Sequence, residues 1–149
     1  MDLCESGNGA DMTETQHIIG TILNRAFPAL QAVYLFGSFG TADERCTSDV
    51  DMALLLAPTA AKTVTAARLL DVQCALAEAL GRDVDLVNIR MANVVFQHEV
   101  IKDARRILCR DAYAADLFEI RTMSLYQKLN EERAGILDEI AATGRVLAS

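Results

Sequence analysis

What this chain has little of narrows its chemistry first. Its four cysteines, Cys4, Cys46, Cys74 and Cys109, show no Cys-x-x-Cys spacing, and only His17 and His98 are present to join them. A zinc or metal-thiolate centre is therefore not expected. Cys74 and Cys109 fall in apolar patterns and read as small core residues, whereas Cys46 lies in a loop where its thiol would be open to oxidation. The two histidines read as surface or core positions rather than catalytic bases. Basic charge is scarce as well: 14 Lys and Arg against 21 Asp and Glu leave a net charge of −7. A nucleic-acid interface needs concentrated Lys and Arg, so no direct nucleic-acid binding is expected. There is no apolar run long enough to span a membrane, and no basic start followed by an apolar stretch. The expectation is a cytoplasmic protein with no membrane contact.

What is present suits one small domain. At 149 residues and 52% hydrophobic, with a mean hydropathy of +0.19, the chain can bury a real core. Residues 1–12 read as a flexible acidic tail, because Asp2, Glu5 and Asp11 stand there with Gly7, Asn8 and Gly9 and no basic residue. Residues 13–149 read as a single domain. Thr13 to Phe27 is predicted as an opening helix, with Thr13 as its cap and Pro28 ending it. Ala60 to Leu80 places Val64, Ala67, Leu70, Cys74, Leu76 and Leu80 near helical spacing, and Gly81 suits the end of that helix. A further helix is predicted from about Ala92 to Lys102, then a short strand at Arg106 to Cys109, then a long final helix from about Ala112 to Ala142. The apolar set of that last helix, Phe118, Met123, Leu125, Tyr126, Leu129, Ile136, Leu137 and Ile140, is wider than a coiled-coil seam. Phe118 to Leu129 reads equally as core-facing helix. Ile136, Leu137 and Ile140 are the better partner contacts, since so long a helix would outreach a small sheet.

Three apolar runs carry the chemistry. Ala32 to Phe36 is rich enough in β-branched and aromatic residues to be a buried strand, and it ends at Gly37-Ser38. Glycine there lets the backbone approach a ligand closely, and amides beside a serine hydroxyl suit a phosphate. Ten residues later, Asp49 and Asp51 head a second strand, Val50 to Leu56, and side-chain alternation puts both carboxylates on one side. Carboxylates introducing so apolar a strand call for a compensating cation. Magnesium binds through one or two carboxylates plus substrate phosphates, so a phosphate turn beside an acid pair is a coherent nucleotide site. Val84 to Ile89 is the third run and holds Asp85 within it. Asp85 either joins Asp49 and Asp51 from a neighbouring strand or is an edge-strand acid facing water.

Gly37-Ser38, ten residues, Asp49-x-Asp51 and a later strand with Asp85 together resemble the DNA polymerase β-type nucleotidyltransferase superfamily in its minimal form. Gly81-Arg-Asp-Val-Asp-Leu-Val87 and Met123-Ser-x-Tyr126-x-Lys-Leu-Asn-Glu-Glu-Arg133 are more closely similar to the MntA-like antitoxins, and the resemblance runs from about His17 to Leu147. It implies an α+β fold, with a small mixed sheet of about four strands flanked by helices and a long C-terminal helix. It also implies a reaction: transfer of AMP from ATP to a tyrosine of a cognate HEPN-type ribonuclease toxin, in a hetero-oligomer with that toxin. By position, Gly37 and Ser38 would hold phosphates, and Asp49, Asp51 and Asp85 would bind two magnesium ions, with Asp85 helping to deprotonate the tyrosine. Many family members place Arg or Lys where this chain has Thr41, so Arg45 or Arg82 would have to supply that charge. A non-catalytic antitoxin that acts by binding, and a nucleotidyltransferase for a small molecule such as an aminoglycoside, are the alternatives.

Overall fold

The computed structural model describes the backbone of residues 9–37 and 49–143 and the side chains of residues 14–37 and 49–138. Four strands form one mixed sheet: β1 (Leu30–Phe36), β2 (Val50–Leu56), β3 (Val84–Asn88) and β4 (Arg105–Cys109), in the order β3-β2-β1-β4. β1 runs antiparallel to both β2 and β4, whereas β2 and β3 are parallel. β1 and β2 occupy the centre because their apolar runs are covered on both faces. The predicted sheet of about four strands, its mixed character and the long C-terminal helix are all present.

Among the described residues the α-helices are α1 (Gly9–Ala26), α2 (Pro58–Thr63), α3 (Ala66–Leu80), α4 (Val94–Asp103) and α5 (Ala112–Thr143). One face of the sheet is covered by α1, α2 and α3, whose Ile19, Leu23, Ala61, Val72 and Leu76 pack on Val33, Leu35, Met52 and Leu54. The other face meets α4 and α5, where Val100, Ile101, Ala115 and Phe118 pack on Tyr34, Ala53 and Leu55. Tyr34 ties α5 to the sheet through a polar contact within this second layer. Its hydroxyl donates to Glu119 at 2.8 Å, and Arg106 of β4 donates to Glu119 at 2.7 Å and to Asp116 at 2.6 Å. Burial, and then the Glu119 carboxylate, push the Tyr34 hydroxyl well above its ordinary pKa, so it stays a donor.

Several sequence expectations are corrected. The opening helix begins at Gly9 rather than at Thr13. Ala10 and Met12 are good helix formers, and Asp11 and Glu14 suit the positive end of a helix, so the acidic composition favours an earlier start. The helix predicted over Ala60 to Leu80 is two helices. The β-branched stretch Thr63-Val64-Thr65 breaks it: Val64 is extended, and the Thr65 side chain caps α3 by accepting from the Arg68 amide at 3.1 Å. Beyond that break α3 buries Leu76 as expected, but it buries Val72 in place of Leu70 and Cys74, which are exposed. Cys109 is exposed too, at the end of edge strand β4. In α5, Phe118 is buried but Met123 and Leu125 face water alongside Ile136 and Leu137. Tyr126 is half-buried and stacks flat on His98 of α4, with ring centroids 3.6 Å apart. The side chain of Ile140 lies outside the described residues, as do residues 1–8 of the expected tail.

The Thr65 cap gives a direct stability prediction. Thr65→Ala removes the oxygen that satisfies an orphan amide at the start of α3, and it should cost about 1 kcal/mol. Urea denaturation of the variant, with an unchanged slope and a lower midpoint, checks it.

Candidate active site

The candidate site forms where β1 ends and β2 and β3 begin. Chain direction sets this up: β1 arrives at Gly37 as antiparallel β2 departs from Asp49, and parallel β3 starts beside β2. The register pairs Phe36 with Asp51 across one junction and Asp51 with Asp85 across the other. Laterally paired residues share a face, so Asp51 and Asp85 project to the same side of the sheet, the side that carries α4 and α5. Asp83 sits just outside β3, and its carbonyl accepts from the Val50 amide at 2.8 Å, which fixes the two strand starts level with each other. Asp85 pairs laterally with Asp51 on the same face, and it is also a solvent-exposed acid on edge strand β3, so both readings left open for it describe its position.

Asp51 is the centre of the arrangement. It is half-buried, and burial, then Asp85, then Asp49 push its carboxyl above the ordinary aspartate range. Asp49 and Asp85 are therefore each close enough to act on Asp51. Gly37 closes the site from the other side with a backbone φ of 82°, in the left-handed region that favours glycine. A Cβ built at Gly37 would stand 2.5 Å from Asp51 Oδ2 and would clash with it. The turn thus brings bare backbone against the half-buried acid, an approach that a side chain would block.

Ser38, Thr41, Arg45 and Cys46 lie outside the described residues. Arg82 lies two residues before β3, at the same end of the sheet as the acids. Among the described residues, no group of three or more His, Cys, Asp or Glu side chains is drawn together as a ready-made metal cage. The donor set nevertheless suits a hard cation. Asp85 and Asp49 disfavour the charge of half-buried Asp51, and a divalent ion would offset that with the oxygen ligands it prefers.

Sequence reasoning missed a second group of polar residues. Lys62, Arg90 and Arg121 line a cleft of about 300 Å³ at the opposite end of the sheet. They are scattered over α2, a 3₁₀ turn at Ile89–Met91 and α5, so no local spacing signals them.

Comparison with known proteins gives the family. The polymerase beta nucleotidyltransferase family matches residues 17–113. The protein adenylyltransferase MntA of Shewanella oneidensis is 36% identical over 121 residues, covering 81% of this chain and 84% of that protein. The crystal structure of a toxin-antitoxin with AMP-PNP superposes with a TM-score of 0.72 at 32% identity, covering 85% of this chain and 98% of the other. A Shewanella oneidensis complex of tri-AMPylated HEPN toxin with MNT antitoxin gives 0.69 at 32% identity, covering 87% and 98%. With the family's description matching residues 17–113 and a protein adenylyltransferase MntA 36% identical over most of both chains, this chain belongs to the polymerase beta nucleotidyltransferases, among their MntA-like members.

Proposed function

We propose that this chain is an antitoxin adenylyltransferase that moves AMP from ATP to a tyrosine of a cognate HEPN-type toxin, silencing it. The observation that carries the reading is the meeting of the Gly37 turn with Asp51, itself flanked by Asp49 and Asp85. Similarity to a protein adenylyltransferase, and to an antitoxin in complex with a tri-AMPylated toxin, supports a protein as the acceptor.

Each residue has a role in this scheme. Gly37 and Ser38 receive the triphosphate, because backbone without a side chain can close on phosphate oxygens. Asp49, Asp51 and Asp85 would hold magnesium, which when bound supplies charge neutralisation at the phosphate oxygens. The exposed Asp85 carboxylate, at the open side of the group, accepts the proton of the incoming tyrosine hydroxyl. The tyrosine oxygen then bonds to the α-phosphorus as the bond to the bridging oxygen breaks, and pyrophosphate leaves with that electron pair. Most of the protein's contribution is orientation, for which a well-held pair of reactants can gain roughly 7–11 kcal/mol.

The test is to mix the purified chain with its toxin, ATP and magnesium, and to weigh the toxin by mass spectrometry. Added AMP on a toxin tyrosine, with ribonuclease activity lost, is the expected result. A toxin neutralised on mixing with no added mass would replace this reading with inhibition by binding alone.

A further inference from the structure

The cleft at the far end of the sheet is built unlike the rest of the molecule. Leu56, the last residue of β2, lies five residues from Asp51, which is about 17 Å along a strand, so the cleft is separate from the carboxylate site. Its cations are Lys62, Arg90 and Arg121, and its apolar wall includes Met91, Phe118 and Leu125. Among the described residues no carboxylate lines it, in a chain whose net charge is −7. The volume of about 300 Å³ is at the lower end of the range for small-molecule sites.

Arg90 is held in place rather than free to swing. It donates through Nε to the Leu56 carbonyl and through Nη2 to Gln31 Oε1 at 2.6 Å, and its guanidinium lies 5.5 Å from the centre of the Phe118 ring. Burial first, and then Arg121, lower the pKa of Arg90. Arg90, Arg121 and Lys62 on one cleft form a cradle for an anion. Planar guanidinium forks match phosphate oxygens, and three cations suit the two negative charges of a phosphate monoester better than the single charge of a carboxylate. The exposed Met91 and Leu125 offer apolar contact for the body of such a ligand.

We propose that this cleft is a second ligand site, which takes a small organic phosphate monoester carrying an apolar or aromatic group. Phenyl phosphate is the probe, titrated into the full chain with EDTA present and followed by amide NMR shifts. EDTA suppresses any metal-dependent phosphate binding at the carboxylate site, so the outcome does not depend on the adenylylation reading. Saturable shifts are expected at residues 58–62, 89–91 and 118–125. Arg121→Ala and Lys62→Ala change exposed side chains and should leave the remaining spectrum intact. Arg121→Ala should weaken binding about tenfold, the usual consequence of losing one hydrogen bond to a charged group. Asp51→Asn should leave the affinity unchanged. The proposal is overturned if shifts are absent at millimolar phenyl phosphate, if Arg121→Ala and Lys62→Ala bind it as the parent does, or if benzoate binds as tightly.

Discussion

Asp51→Asn should abolish AMP transfer and, in the absence of divalent metal, make the protein more stable. The two effects have one cause. Asp51 is half-buried between the Asp49 and Asp85 carboxylates, and its carboxyl is pushed above the ordinary aspartate range first by burial and then by those neighbours. Because the folded state raises this pKa, it favours the protonated form. The stabilising contribution is full below the ordinary aspartate range and is lost as pH rises through the raised one. Asparagine keeps the shape without the charge, so at pH 7 it retains what the ionised aspartate has lost. Melting temperatures in EDTA should therefore be higher for the variant at pH 7, with the gap closing towards pH 4. Magnesium should reverse the order. A ligand at a hundred times its dissociation constant stabilises by about 2.7 kcal/mol, and only the chain with its acids intact gains it. Transfer should fall by roughly 10³-fold, several kcal/mol at about 1.4 kcal/mol per tenfold, as charge stabilisation at the phosphates is lost. A variant that transfers AMP within tenfold of the parent, or that gains as much stability from magnesium, would sink the assignment of Asp51 to the metal.

The strands were legible because their sequences have few other readings. Val50 to Leu56 buries every residue but Asp51, and the unbroken apolar run Met52 to Leu56, introduced by acids and followed by Ala57-Pro58, has little alternative to a central strand. The long final helix and the short strand before it were legible for the same local reason. What failed were features set by single backbone decisions or by packing. The break at Val64-Thr65 depends on one capping hydroxyl, and once it is missed the apolar stripe of α3 takes in Leu70 and Cys74 beside Leu76 and passes over Val72. In the candidate site, residue types and spacing singled out Asp49 and Asp51, whereas Asp85 was open on local sequence and came in with the family resemblance. Their relation required pairing across the sheet, which links Asp51 to Asp85 through a parallel crossover that local sequence does not encode. The second cleft was invisible for a stronger version of this reason, since its three cations come from three separate elements.

Gly37→Ala should impair activity out of proportion to its effect on folding, and Gly81→Ala provides the control. Both glycines have positive φ, 82° and 68°, so alanine at either carries the left-handed backbone cost of about 1–2 kcal/mol. They differ in what a Cβ would meet. At Gly81, which closes the C-terminal end of α3, nothing lies within 4 Å, so the variant should lose stability alone. At Gly37 the new atom would fall 2.5 Å from Asp51 Oδ2, well inside ordinary contact, and either the turn or the carboxylate has to move. A displacement of about 1 Å in a positioning group can cost about 10²-fold in rate. The expected pattern is therefore two variants with similar losses in thermal stability, one with near-normal transfer and one about a hundredfold slower. Steady-state transfer to the toxin, measured beside thermal melts of each variant, gives both numbers. Equal activity in the two variants would mean that the approach of the turn to Asp51 is a feature of packing with no part in holding the nucleotide.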